Sequence, residues 1–182
     1  QSMVLFAGAT FRTYPLYPER GFEPDPQEIE ALIGPKTRAI LVNSPGNPTG
    51  AVWGAPCIDR VAGIARARNI HVISDEIYEE MTFDADHVSF MGRDIDDRLW
   101  VVSGFSKSFA MTGWRIGWLV APAHSVESAI ALQEPTVSCI SAVSQAAAIA
   151  ALSKYPQTPD ELAAIYRRRR DILVEELAGS GL

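Results

Sequence analysis

A set of short apolar runs, spaced apart by helical patterns, limits this chain to very few folds. Arg38–Val42 (RAILV) and Leu99–Val102 (LWVV) are continuous apolar stretches, and Ile70–Ser74 and Ile116–Val120 are similar in length. Runs this short and this apolar read as strands covered on both faces of a parallel sheet. Ala55–Arg68 carries a helical pattern between the first two, and 125–152 is helical with an interruption near Pro135. Asp25-Pro26-Gln27-Glu28 places an N-cap, a proline at the first helical position and an acid at the third, so a short helix should run to about Ile33. Thr158-Pro159-Asp160-Glu161 is a second capping box, which should open a long helix to about Ala178. Gln1–Ala7 reads as the tail of a helix closed by a left-handed Gly8, and Thr10–Leu16 alternates bulky and polar residues like a strand. Strands alternating with helices predict an α/β fold with a mostly parallel sheet and flanking helices.

Ligands in such sheets bind outside the carboxyl ends of the strands. Three of the expected strands end in chemically rich sequence: Asn43–Gly50, then Asp75-Glu76-Ile77-Tyr78, then Ser103-Gly104-Phe105-Ser106-Lys107 with Arg115 eight residues on. An amine, a carboxylate, a phenol, an amide, hydroxyls and a guanidinium suit one chemistry well. A lysine amine forms a Schiff base with an aldehyde cofactor, a carboxylate keeps the cofactor's ring nitrogen protonated, and hydroxyls with an arginine bind its phosphate. Lysine is ordinarily ammonium at neutral pH, and burial beside a cation such as Arg115 favours the neutral, nucleophilic amine.

The run Gly104-Phe105-Ser106-Lys107-Ser108-Phe109-Ala110-Met111-Thr112-Gly113-Trp114-Arg115-Ile116-Gly117 closely resembles the lysine signature of class I/II aminotransferases, fold-type I enzymes that use pyridoxal 5′-phosphate (PLP). Asn43–Gly50 resembles the same family's Asn-Pro-Thr-Gly loop, and Ser74–Tyr78 its aspartate–tyrosine element. The resemblance implies transamination between an amino acid and a 2-oxo acid. Lys107 would form the Schiff base and carry the proton, Asp75 would pair with the pyridinium nitrogen, and Tyr78 and Asn47 would hydrogen-bond the ring 3-oxygen. Arg115 would bind the phosphate with a serine. Some family members carry that serine three positions before the lysine, where this chain has Gly104, so Ser106 is the better candidate and Ser103 the second. A cis Asn47–Pro48 peptide is also implied.

The resemblance spans the chain but only about half of such an enzyme. It implies a PLP-binding large domain over 1–157 that lacks its first strands, and a helix over 158–182 leading to a C-terminal small domain. The chain starts at Gln1, as if cut from something longer. The phosphate-capping loop and ring-stacking aromatic are then expected upstream of Gln1, and the arginine for the substrate carboxylate beyond Leu182. A homodimer is implied, with a tyrosine from the partner chain reaching the phosphate.

Rival readings are a PLP-dependent lyase or synthase of the same fold, the non-catalytic effector module of a transcription regulator, and a truncated chain that folds poorly. A net charge of −6 argues against general nucleic-acid binding, and no apolar run approaches the ~20 residues that span a bilayer. Two cysteines, Cys57 and Cys139, make neither a disulfide framework nor a metal pattern and suit a reducing cytoplasm. Asp84-Ala85-Asp86-His87 is expected to be a solvated loop, with no metal site, and Arg167–Arg170 a solvated helix face with Arg167 paired to Asp171. No phosphate-binding glycine fingerprint is present.

Overall fold

The computed structural model describes residues 1–180, so the last two residues of the expected connecting segment lie outside the described residues. Its centre is a four-stranded sheet: β1 (Ala39–Asn43), β2 (His71–Asp75), β3 (Leu99–Gly104) and β4 (Gly117–Val120), in spatial order 1-2-3-4. β1, β2 and β3 are parallel, and β4 returns antiparallel to β3. The fold is therefore α/β with a mixed sheet. Helices α1 (Ser2–Phe6), α2 (Pro26–Ala31), α3 (Ala55–Arg68) and the four-residue α4 (Phe105–Ser108) precede or interleave with the strands. Then come α5 (Ala123–Val137), α6 (Ala142–Lys154) and α7 (Thr158–Ala178). No helix among the described residues is long and apolar enough to cross a membrane.

Local chemistry explains the boundaries. Asp25 caps α2 by accepting the Gln27 N–H at 2.8 Å, and Pro26 takes the first helical position, where no N–H is needed. α3 ends at Asn69, held left-handed at φ 57°. Gly8 closes α1 in the left-handed region, with the Ala9 N–H reaching back to the Val4 carbonyl at 3.0 Å.

α3 seals one face of the sheet. Ile58, Val61 and Ala65 pack with Ile40, Val42 and Val72, and Trp53, Phe90 and Ile95 complete this core. The other face is less covered, which corrects the expectation of two-faced burial. Leu41 is 50% exposed and Val102 38%. α3 lies on one side only, and α5–α7 do not shield these two side chains.

Other expectations also change. Thr10–Leu16 is irregular: the Tyr14 hydroxyl bonds the Leu41 carbonyl at 2.9 Å and its ring meets Trp53 edge-on, so side-chain anchoring replaces a ladder. The helical break falls at Ser138, at φ 61°, not at Pro135. A proline one turn from a helix end removes a single hydrogen bond, so α5 runs on to Val137. Thr158 does not cap α7. Its N–H already bonds the Tyr155 carbonyl at 3.1 Å, which puts it inside the first turn with Gln157 as cap. Asp171 is taken by Arg170, not Arg167, and Arg170 also reaches Asp84.

The β3–β4 contact fixes the site's geometry. Gly104 pairs with Gly117, and a Cβ on Gly117 would stand 2.6 Å from the Ser103 carbonyl oxygen. Only a bare Cα permits this approach. Gly117→Ala is expected to lower stability by about 1–3 kcal/mol, read as an earlier urea midpoint with an unchanged slope.

Candidate active site

Because β1–β3 are parallel, their carboxyl ends share one edge, and the register sets Asn43 beside Asp75 and Asp75 beside Val102. Lys107 sits on α4, immediately past β3. The chain then loops through Thr112–Trp114 and returns as β4 beside the end of β3, bringing Arg115 to the same edge. Two non-glycine residues of this loop, Ala110 at φ 53° and Arg115 at φ 51°, are held left-handed, a conformation that costs on the order of 1 kcal/mol or more each. Ser144 of α6 braces the loop by donating to the Trp114 carbonyl at 2.8 Å.

Four of the expected residues come together. Lys107 Nζ lies 5.5 Å from the centroid of the Tyr78 ring. The Tyr78 hydroxyl accepts from Asn47 Nδ2 at 3.3 Å. Asp75 uses Oδ1 to accept the Ile77 N–H at 3.2 Å, an Asx turn that fixes the start of the 75–79 segment. The Asn47–Pro48 peptide is cis, as is Ser44–Pro45.

The remaining three differ. Arg115 is exposed and donates to the Thr112 carbonyl of its own loop at 2.9 Å. Ser106 is half-buried in α4 beside Lys107. Ser103 is buried, its hydroxyl donating to Glu79 Oε1 at 2.6 Å.

Some contributors escaped the sequence reading. Asn43 donates from Nδ2 to the Asp75 carbonyl at 3.3 Å and accepts the Asn47 N–H at 2.9 Å, so one side chain ties two strand ends together. Glu76 is 1% exposed and accepts from Ser74 Oγ at 2.8 Å and the Phe90 N–H at 3.1 Å. His87 is not part of a solvated loop. Its Nε2 lies 2.9 Å from Glu76 Oε2, and its side chain is 12% exposed. Strand alternation was the available signal: Val72, Ser74 and Glu76 point to one face, so an acid there is committed to the interior. Asp84, by contrast, pairs with Arg170 on the surface.

Burial acts to raise the Glu76 pKa, but hydrogen bonds from His87, Ser89, Phe90 and Ser74 outweigh it and hold the carboxyl below its usual range. A depressed folded pKa stabilises above the unfolded value and loses that contribution as pH falls through the folded one. The melting temperature should thus hold between about pH 7 and 5 and drop at lower pH, with a smaller acid-side drop in Glu76→Gln. Equal drops would show that Glu76 carries none of the effect. Burial also pushes the Cys57 thiol up, with Glu23 and Asp25 adding to the shift, to about 12, which leaves it unreactive.

A lysine amine, a carboxylate, a phenol and an amide gathered at the carboxyl edge of an α/β sheet suit the handling of an aldehyde cofactor. A family model described as aminotransferase class I and II matches residues 2–182, and the chain belongs to this family. It is 37% identical to an aspartate/prephenate aminotransferase of Thermus thermophilus over 99% of its own length and 47% of that protein. It is 38% identical to the arginine–pyruvate transaminase of Pseudomonas aeruginosa, covering 95% of this chain and 44% of that one. A solved Thermus thermophilus aspartate aminotransferase with maleate superposes with a TM-score of 0.94 at 36% identity, over 99% of this chain and 48% of that one. The chain spans about half the length of the relatives it matches.

Proposed function

We propose that this chain carries the cofactor-handling half of a PLP-dependent aminotransferase that moves an amino group between an amino acid and a 2-oxo acid. The observation that carries the reading is the convergence of Lys107, Tyr78 and Asn47 beside Asp75 at one sheet edge. The residues fit the cofactor. Lys107 is an amine beside a phenol, and the Asx turn occupies only Oδ1 of Asp75, leaving its second oxygen to face a ring nitrogen. When bound, PLP supplies an aldehyde and an electron-accepting ring.

The chain's own groups do the rest. Lys107 would hold the cofactor's aldehyde and, once the substrate amine had displaced it, would serve as the free amine that carries the substrate α-proton. The Asp75 carboxylate keeps a proton on the ring nitrogen. Tyr78, donating toward the ring oxygen and itself fixed by Asn47, orients the ring. Arg115, swung from its own loop, and Ser106 bind the phosphate; Ser103, committed to Glu79, is the weaker candidate. Residues 1–157 would form the cofactor domain and α7 the connection onward. The free thiols of Cys57 and Cys139 support a reducing cytoplasm, and the exposed apolar residues Ile130, Leu132 and Val143 of α5 and α6 support pairing with a second copy.

Transfer is favoured over elimination and over a regulator's effector module because the matched relatives carry aminotransferase and transaminase names. The test mixes the protein with PLP, reduces with borohydride and maps the adduct by peptide mass. The expected adduct is on Lys107, and its absence from folded protein removes the reading. Oxo acid formed from the amino donor without ammonia separates transfer from elimination.

A further inference from the structure

The group outside the described chemistry that most demands an account is Glu76. A carboxylate that is 1% exposed sits one residue from Asp75 and two from Tyr78. Burying a charge is expensive, and an apolar side chain of similar volume would pack there as well or better. The chain instead surrounds it with donors from Ser74, Phe90 and His87. His87 presents Nε2 to Glu76, while its Nδ1 is buried with no hydrogen-bond partner. An acceptor carboxylate at Nε2 sets the tautomer, with the proton on that nitrogen.

The pair's effect follows from the segment it grips. Glu76 bonds its N–H to the Val102 carbonyl at 2.9 Å, and its own carbonyl accepts the Glu79 N–H at 2.9 Å, closing the 76–79 turn. One end of that turn is pinned by the Glu76 side chain to the 87–90 segment, the other by Glu79 to Ser103 on β3. Tyr78 lies between two pinned acids, and Asp75 immediately precedes the first. We infer that Glu76 and His87 are positioning residues: they clamp the 75–79 turn so that the Asp75 carboxylate and Tyr78 phenol stand rigidly toward the cofactor. The clamp acts through Asp75 and Tyr78. The inference rests on the PLP reading above, because the groups it positions are those proposed to hold PLP.

The experiment compares the wild-type protein with Glu76→Ala, His87→Ala and His87→Gln; the last keeps an N–H donor near the position of Nε2. Three quantities are measured: PLP affinity from tryptophan quenching, the pH midpoint of the bound cofactor's absorbance, and amide exchange at Glu79 and Phe90 in cofactor-free protein. Both alanine variants should bind PLP about tenfold more weakly, and His87→Gln within about threefold of wild type. The absorbance midpoint should move by about half a pH unit or more in the alanine variants, because a loosened Asp75 no longer holds the ring nitrogen's charge fixed. Amide exchange at Glu79 and Phe90 should quicken in parallel. His87→Ala with wild-type affinity and midpoint overturns the clamp while leaving the cofactor reading intact. Wild-type protein that takes up no PLP overturns both. Should Glu76→Ala fail to fold, the contrast between His87→Ala and His87→Gln still decides, since His87 lies toward the surface side of the pair.

Discussion

Lys107→Ala is expected to eliminate the borohydride-fixed PLP adduct and to lower transamination by about four orders of magnitude. The amine is both anchor and proton carrier in the proposed reaction, so its loss removes two functions at once. Lys107→Arg should fare no better, since a guanidinium keeps the charge but is never deprotonated. Stability should barely change: the side chain is half-buried, and its contact with the Tyr78 ring is worth about 0.5–1 kcal/mol. The other lysines offer no substitute. Lys36 precedes β1 and so lies at the opposite edge of the sheet, and Lys154 ends α6. An adduct that persists in Lys107→Ala would place the chemistry elsewhere and end the assignment.

Asp75→Asn should produce the second-largest loss, about 10²–10³-fold in kcat, with the Lys107 adduct retained. The amide is nearly isosteric and its oxygen can still accept the Ile77 N–H, so the turn survives. What disappears is the negative charge proposed to keep a proton on the ring nitrogen. The variant therefore separates charge from shape, which Asp75→Ala would not. Adduct formation needs only the lysine amine and the aldehyde, so binding and turnover should part. Wild-type kcat in Asp75→Asn would show that the charge has no part in the reaction.

The two variants also divide the site by the kind of information each residue carries. Lys107, Asp75, Asn47 and Tyr78 were singled out in the sequence because each stands at or just past a strand end in polar sequence that packing does not explain. Parallel strands then deliver consecutive strand ends to one edge, whatever the details of the turns. Arg115 was singled out by its place in the lysine signature, and the structure adds that the close Gly104–Gly117 pairing brings the chain back beside β3.

Ser103 illustrates where that logic stops. Sequence offers three serines around the lysine, and nothing local says which hydroxyl faces the cofactor. Ser103 belongs to β3 and faces inward, where the Glu79 carboxylate engages it. His87 failed in the opposite sense, read as part of a solvated acidic loop when its ring turns inward to a carboxylate eleven residues earlier. Thr10–Leu16 has a strand's alternation but no partner ladder, and alternation records only which side chains are buried, not what hydrogen-bonds the backbone.

By itself, then, the sequence determined the α/β order of elements, the strand ends that carry the chemistry, and the residues proposed to act there. Those follow from apolar periodicity, capping residues and turn chemistry, all of which act over a few residues. The tertiary structure decided the antiparallel return of β4, the uncovered face at Leu41 and Val102, and the pairing of Glu76 with His87. Each depends on which distant segments meet, and that is set by the packing of whole elements. A buried carboxylate shows the difference most directly: its neighbours in sequence say that it is inside, but only its neighbours in space say what keeps it charged.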